Sequence, residues 1–421
     1  MTRFASVALA AAAACWMPSS LAAQSPEAVA AAALDAAPVW DGHNDVPGQL
    51  RTRFGNVIEG FDFADTTDGE HWTAEEMHTD LSRLAQGRVG AQFWSVYVSA
   101  RLEEPVAVQT TIEQIDVLKR LIAANPQHLQ LATTADEVEA AMRAGRVASL
   151  IGMEGGHSIG SSLGVLRQMY DLGARYMTIT HSLNTPWADS ASVDPEHDGL
   201  SDFGVKVIRE MARLGMLIDL SHVSEATMLD AMDATGAPVI FSHSGARAVT
   251  GHARNVPDSV LARLPRQGGI VMAVALPGYI SEPLRLWTAA RQGEEARLKV
   301  LWQGQPDQAT AALEAWTAAN PMPKATIADL ADHIDHIRAV AGIDHIGIGA
   351  DYDGMDSGPV GMEDVTGYPA LFAELARRGY SQQDLEKIAS RNMMRVLREA
   401  EAYAATQADA APVESPVSQP S

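Results

Sequence analysis

The stretch Val39–Pro47, "VWDGHNDVP", begins as a short apolar strand and then turns abruptly polar. His43 and Asp45 stand two positions apart where the apolar part finishes. Because alternate residues of a strand point to the same side, an imidazole and a carboxylate are expected to project together from its end. This pattern predicts a chemical site at the carboxyl end of the first core strand.

Seven further apolar runs repeat the pattern, and amphipathic stretches such as "DFGVKVIREMARLG" (202–215) lie between them. The runs begin at Val89, Val147, Ala174, Gly215, Ala237, Gly268 and Asp344. Alternating short strands and helices are typical of a parallel α/β fold. Eight such units predict a (β/α)₈ TIM-type barrel, in which the carboxyl ends of the strands form the rim of the active site.

Two segments interrupt the regular alternation. Residues 51–88 form a long, polar first βα loop, and residues 282–324 are predicted to be an inserted helical hairpin before the last strand. Insertions of this kind often cover or border the site of a barrel. The catalytic barrel domain is predicted to span 37–403, after a short lead-in at 24–36.

The two ends of the chain have a different composition. Residues 1–23 combine a basic start, an apolar centre and the small residues "PSSLAA", which predicts a signal peptide, although a buried N-terminal helix is an alternative. The single cysteine, Cys15, lies within this segment, so a cleaved chain has no disulfide; a lipoprotein site there is less expected, because Ala12 replaces the usual Leu. We therefore expect export to the periplasm or secretion. The tail, 404–421, is predicted to be disordered.

Composition excludes some classes of partner. The chain has 421 residues, 47% hydrophobic and 20% charged, as in a soluble globular protein, and no apolar run after the N-terminus is long enough to cross a bilayer. Its formal net charge of −22 disfavours nucleic acid and anionic membrane surfaces, because long-range repulsion would dominate.

Closure of the barrel is expected to gather the polar residues at the strand ends on one rim. These are His43, Asp45, Glu154, His181, His222, His243 and Asp351. Imidazole and carboxylate together suit zinc, with manganese, cobalt or iron as substitutes. Four of these residues plus a bridging Glu154 provide about three ligands to each of two ions, with a position left for water. A single zinc would use the set less completely.

Each of these residues also has a structural interpretation on its own. A strand-end histidine is often simply hydrogen-bonded, Glu154 is a possible helix cap, and Asp351 is a possible turn residue. Their recurrence at the same end of successive strands favours the metal site. Of the other histidines, His252 is a weak candidate, and six are interpreted as structural, solvated or rim residues: His71, His78, His157, His333, His336 and His345.

Longer motifs resemble one family of enzymes. "DGHNDVP" (41–47), "LGMLIDLSHVS" (214–224), "APVIFSHSGARAVTGHARNVPD" (237–258) and "ADHIDHIRAVAGIDHIGIGADYDG" (331–354) closely resemble the membrane dipeptidase (renal dipeptidase) family of zinc peptidases. The similarity extends from about Val39 to Leu397. Leu183 stands where the animal enzymes have a cysteine, and the anchor signal is absent, so no membrane anchor is expected.

The resemblance implies a role for each site residue. His43 and Asp45 would hold one zinc ion, His222 and His243 the other, and Glu154 would bridge them. His181 would contact the substrate and stabilise the oxyanion. Arg254 would bind the substrate's carboxylate, and Asp351 would transfer protons.

The predicted function is that of a binuclear zinc dipeptidase that hydrolyses short peptides by attack of a metal-bridging hydroxide. The resemblance permits D-configured C-terminal residues and, by analogy, a homodimer. A metal-dependent amidohydrolase acting on N-acyl amino acids, lactams or lactones is the alternative enzyme. A binding protein that kept the fold without catalysis is the alternative from another class.

Overall fold

The computed structural model describes Thr2 and residues 24–67 and 76–416, and eight parallel strands in this part of the chain close into a barrel. The strands are β1 (Val39–Asn44), β2 (Val89–Tyr97), β3 (Leu129–Leu131), β4 (Val147–Glu154), β5 (Ala174–Thr178), β6 (Leu217–Asp219), β7 (Val239–Ser244), β8 (Ile270–Ala273) and β9 (Ile346–Ile348). The order β2-β1-β9-β8-β7-β6-β5-β4 is closed by pairing of β2 with β4, while β3 pairs with β4 outside the barrel. The predicted (β/α)₈ TIM-type fold is confirmed. The short edge strand β3 was not predicted.

Helices surround the barrel, and their ends follow local capping chemistry. They are α1 (Pro26–Ala36), α2 (Val46–Phe54), α3 (Leu81–Gln86), α4 (Glu104–Ala124), α5 (Ala135–Arg143), α6 (Leu163–Asp171), α7 (Asp202–Leu214), α8 (Glu225–Ala234), α9 (Asp258–Leu261), α10 (Leu264–Gln267), α11 (Pro277–Ile280), α12 (Glu282–Leu301), α13 (Pro306–Ala319), α14 (Ile327–Ala341), α15 (Tyr368–Arg377), α16 (Gln382–Glu386) and α17 (Asn392–Thr406). In α7, the Ser201 side chain accepts a hydrogen bond from the Gly204 N–H, and Gly215 ends the helix with a left-handed φ of 79°.

The interior of the barrel is filled by side chains, which form a floor beneath the rim. Trp40, Phe93, Tyr176 and Met272 are all fully buried there. Burying one large apolar side chain contributes about 1.5–3 kcal/mol. One residue of this floor also contacts the rim: the Tyr176 hydroxyl lies 2.8 Å from Nδ1 of His43.

The segments outside the alternation are partly as predicted. α12 and α13 form the expected hairpin, with the Trp287 and Trp316 rings 6.1 Å apart. The first loop contains two helices, α2 and α3, and His71 lies outside the described residues. The lead-in at 24–36 consists mostly of helix α1, which packs against α15 and α16.

The C-terminal segment differs from the prediction of a disordered tail from residue 404. Helix α17 extends to Thr406, and the Val413 N–H donates to the buried carboxylate of Glu210 at 3.0 Å. Arg167 donates to the Val413 carbonyl at 3.3 Å. Val413 therefore contacts helices α6 and α7, where its N–H is one of the donors to a buried carboxylate. Residues 417–421 and the predicted signal segment from residue 3 to 23, including Cys15, lie outside the described residues. Among the residues that are described, no helix has the length and apolarity to span a membrane.

Candidate metal and active site

Strand ends place the predicted residues together on the rim. His43, Glu154 and His243 are each among the last two residues of β1, β4 and β7. Asp45 follows β1 directly, and His181, His222 and Asp351 lie three residues beyond the ends of β5, β6 and β9. His222 and Asp351 adopt left-handed backbone conformations, with φ values of 72° and 73°. Such conformations cost about 1–3 kcal/mol each in non-glycine residues and cluster at functional sites.

Glu154 is the centre of the cluster. Its Oε1 lies 3.1 Å from Nε2 of His222 and 3.6 Å from Nε2 of His243. Its Oε2 lies 3.5 Å from Nε2 of His43 and accepts a hydrogen bond from the Ser95 hydroxyl at 3.2 Å. The two carboxylate oxygens therefore face different imidazoles, as a ligand shared by two cations requires.

A second group of ligand atoms lies on the His43 side. Nε2 of His43 is 3.2 Å from Oδ2 of Asp45 and 3.9 Å from Oδ1 of Asp351. Three sets of side chains have ligand atoms within 4.8 Å of one another: His43, Glu154 and His243; Glu154, His181 and His222; His43, Asp45 and Asp351. The structure thus brings together all five predicted ligands and adds His181 and Asp351 at similar range.

The polar atoms of this cluster fit a metal better than they fit one another. Nε2 of His222 and Nε2 of His243 lie only 2.9 Å apart. Nε2 of His43 and Oδ1 of Asp45 are buried without a hydrogen-bond partner among the described residues. Since unpaired buried polar atoms are costly, converging nitrogens and oxygens of this kind match the donor set of a zinc site.

The pKa shifts differ both among the imidazoles and among the carboxylates of the site. Burial alone would lower the pKa of His43, but Tyr176, Glu154 and Asp45 hold it well above its usual range. Burial lowers the pKa values of His222 and His243 well below the usual range, so both imidazoles are neutral and offer a lone pair. Burial alone would raise the pKa of Glu154, but the neighbouring imidazoles, first of all that of His43, hold it well below its usual range. Burial raises the pKa of Asp351 well above its usual range; His43 opposes this shift and Asp45 adds to it.

A cavity of about 330 Å³ opens above the cluster, at the small end of the range for ligand sites. Its lining includes Gln49, Tyr97, His181, Arg254, Leu276, Tyr279, Asp351 and Gly354. The two tyrosines, Leu276, Gln49 and Gly354 were not predicted, since no spacing or motif distinguishes them from ordinary loop and strand residues.

Arg254 is a buried cation with free donors in this cavity. Its side chain is only 1% exposed, and Nε and Nη1 lack hydrogen-bond partners within the part of the chain that the structure describes. Nη2 donates to the His243 carbonyl at 3.4 Å, and the guanidinium lies 5.4 Å from the Tyr279 ring. A guanidinium in this state favours a carboxylate ligand, which accepts two parallel hydrogen bonds.

Five other histidines of the described residues have structural partners. His333 was expected on a solvated helix but is fully buried. Its Nδ1 accepts a hydrogen bond from the Ala246 N–H at 2.8 Å. His345 contacts the Gly269 carbonyl, His336 pairs with Asp258, and His252 lies against Tyr279. His78 and Asp353 bond each other twice, from the His78 N–H to Oδ1 at 2.9 Å and from the Asp353 N–H to Nδ1 at 3.0 Å. His157 is buried near His181.

Comparison with known proteins identifies the family of the chain. A family model described as membrane dipeptidase (Peptidase family M19) matches residues 27–411. Dipeptidase 3 of Rattus norvegicus is 39% identical over 382 residues, which cover 90% of this chain and 68% of the rat protein.

Two solved structures share the fold. The probable dipeptidase PvdM from Pseudomonas aeruginosa superimposes with a TM-score of 0.75 at 21% identity, covering 90% of this chain and 99% of that chain. A metallo peptidase from Rhodobacter sphaeroides, liganded with a phosphinate mimic of the dipeptide L-Ala-D-Ala, has a TM-score of 0.70 at 24% identity and covers 86% and 99% of the two chains. The chain therefore belongs to the membrane dipeptidase family (Peptidase family M19), and its enzyme class is that of a metal-dependent dipeptidase.

Proposed function

We propose that this dipeptidase works with two zinc ions, one held by His43 and Asp45 and the other by His222 and His243, with Glu154 bridging them. The observation that carries the proposal is the position of Glu154, whose Oε2 lies near His43 and whose Oε1 lies near His222. Bound zinc would lower the pKa of a water molecule and polarise the scissile carbonyl. Neutral imidazoles and ionised carboxylates are the ligand states that zinc requires.

Asp351 is proposed to carry the proton. Its carboxyl is buried, its pKa is raised, and its Oδ1 lies 3.9 Å from Nε2 of His43 at the edge of the cluster. A carboxyl with a raised pKa accepts a proton from the nucleophile and returns it to the leaving amine more readily than an ordinary aspartate. A carboxylate whose pKa is lowered by strong ion pairs would accept the proton of the nucleophile less readily.

His181 is proposed to stabilise the oxyanion of the tetrahedral intermediate. Its Nε2 lies 3.8 Å from Oε1 of Glu154, and its ring packs edge-on against Tyr97 with the centroids 5.0 Å apart. Burial lowers the pKa of His181, so the ring is neutral and donates through one N–H. A donor held in place by packing stabilises developing charge without reorganising.

Arg254 is proposed to bind the free carboxylate of the C-terminal residue. Its two free donors and its burial support this role. Because the anchor lies in the same small cavity as the cluster, it selects substrates with a terminal carboxylate close to the scissile bond. The structural neighbour with a bound L-Ala-D-Ala mimic supports acceptance of a D-configured C-terminal residue.

A matched panel of substrates on the zinc-loaded protein tests the proposal. We expect hydrolysis of L-Ala-L-Ala and L-Ala-D-Ala, and little hydrolysis of L-Ala-D-Ala amide, in which the carboxylate is blocked. Metal analysis is expected to find two zinc ions per chain, and a chelator should abolish turnover. Turnover of N-acetyl-D-alanine but not of dipeptides would favour the amidohydrolase, and a single ion per chain would refute the bridging role.

We further propose that residues 1–23 direct export and are then removed. The basic start, apolar centre and small residues before position 24 support this. N-terminal sequencing of protein from the periplasm or medium should begin at about residue 23 or 24. An intact Met1 in the exported protein would contradict the proposal.

A further inference from the structure

A buried hydrogen-bonded chain lies behind His243, on the side away from the cavity. It begins at Asp219, the last residue of β6, whose side chain is fully buried. Oδ1 of Asp219 accepts the N–H groups of Ser221 at 3.0 Å and Ser242 at 2.8 Å. Oδ2 accepts the hydroxyls of Ser242 at 2.6 Å and Thr178 at 2.5 Å. The carboxylate is therefore satisfied by four donors.

This arrangement determines which nitrogen of His243 carries the proton. An ionised carboxylate only accepts hydrogen bonds, so the Ser242 hydroxyl must donate its hydrogen to Asp219. The Ser242 oxygen, 2.8 Å from Nδ1 of His243, is then left as an acceptor, and Nδ1 must be protonated. Nε2 of His243 consequently presents a bare lone pair toward Glu154 and His222.

We propose that Asp219 and Ser242 are positioning residues that hold the His243 ring in the tautomer required of a metal ligand. The inference rests on the proposed metal site. The other imidazoles differ: Nδ1 of His43 meets the neutral Tyr176 hydroxyl, and Nδ1 of His222 has no partner among the described residues. A carboxylate behind a ligating histidine fixes the ring and raises its basicity, and loss of such support lowers metal affinity about 10–100-fold.

Ser242→Ala is the sharpest variant, because it removes the hydroxyl and keeps the backbone hydrogen bond from residue 242 to Asp219. Thr178→Val is the matched control, since it removes another hydroxyl from the same carboxylate oxygen without touching His243. Ser242→Thr restores a hydroxyl and controls for damage to the fold. Zinc affinity of each variant is measured by competition with a chromophoric chelator, and the His243 tautomer by ¹⁵N NMR of the metal-free protein.

We expect Ser242→Ala to bind one of two zinc ions about 10–100-fold more weakly, while Thr178→Val and Ser242→Thr bind both as the wild type does. The wild-type NMR signals should show protonated Nδ1, and Ser242→Ala a mixture of tautomers. Unchanged zinc affinity and tautomer in Ser242→Ala, or an equal loss in Thr178→Val, would overturn the inference. A wild type that shows the Nδ1 tautomer but binds fewer than two ions would instead overturn the proposed function.

Discussion

Replacing Gly354 by alanine tests whether the two acidic groups of the site need their observed positions. Gly354 lines the cavity just after Asp351 and Asp353. A Cβ at this position would lie 2.3 Å from Oδ2 of Asp45 and 2.7 Å from Oδ1 of Asp351, whereas ordinary contacts begin at 3.4 Å. The two oxygens would therefore have to withdraw by about 1 Å and about 0.7 Å, because repulsion rises steeply at shorter range.

Neither carboxylate can retreat without consequence. Oδ2 of Asp45 is the atom 3.2 Å from Nε2 of His43, and Oδ1 of Asp351 is the atom 3.9 Å from it. Displacement of a reacting group by about 1 Å is enough to cost about 10²-fold in rate. We therefore expect Gly354→Ala to lose about 10²-fold in kcat/KM for L-Ala-L-Ala and to bind zinc more weakly, because Asp45 is a proposed ligand.

Gly278→Ala is the matched control. This glycine lies in α11 beside the cavity wall, and its added Cβ would meet only the Leu276 side chain, at an ordinary 3.6 Å. We expect wild-type kcat/KM and zinc content in this variant, measured in the same coupled assay for released alanine. Wild-type kinetics and zinc affinity in Gly354→Ala would refute the idea that the positions of Asp45 and Asp351 matter to this accuracy.

Three further outcomes are expected. Arg254→Met should raise KM for dipeptides and lower kcat/KM by the equivalent of about 2–5 kcal/mol, because it removes the buried cation that binds the substrate's carboxylate. Arg254→Lys is measured beside it, and an unchanged KM in Arg254→Met would contradict the proposed role. Glu154→Gln should lose most turnover and lower zinc occupancy at both positions by metal analysis, and full turnover would argue against bridging. His333→Gln tests pH dependence: burial lowers the pKa of His333 to about 4, against 6.5 ordinarily, so protonation of the unfolded chain removes up to about 3 kcal/mol of stability between pH 6.5 and 4. The variant has no such group, so it does not lose this stability. The free energy of unfolding of the wild type minus that of His333→Gln, measured with urea, should therefore decrease as the pH falls from 6.5 to 4. A difference that stays constant over this range would contradict the reasoning.

Local pattern was sufficient for most of the secondary structure. Strands with buried residues on both faces, such as β4, give continuous apolar runs, and α7 combines an apolar stripe with Ser201 and Gly215 at its ends. The structure confirmed these elements. Pattern was insufficient where a segment is stabilised mainly by distant contacts, as for β3 and for the C-terminal segment that reaches Glu210.

The histidines also differ in whether local pattern or distant contacts determine their environment. His333 lies in a polar helical stretch and was expected in solvent, but it is buried, because its partners Ala246, Thr250 and Ile280 come from segments more than fifty residues away. Asp219 and Ser242 lie within motifs that resemble the family, but nothing in their spacing indicated their hydrogen bond to each other or the contact of Ser242 with His243. Hydrogen-bond partners of this kind depend on long-range packing, which short-range periodicity does not encode.

The amino-acid sequence by itself determined the alternation of strands and helices, the acidic and imidazole residues at the strand ends and, through its longer motifs, the family. The tertiary structure alone decided that one oxygen of Glu154 lies near His43 and the other near His222, and that Arg254 has free donors in the same cavity. The physical reason is distance along the chain. Backbone sterics and apolar periodicity act over a few residues, whereas the positions of residues 43, 154 and 222 relative to one another exist only after the barrel has closed.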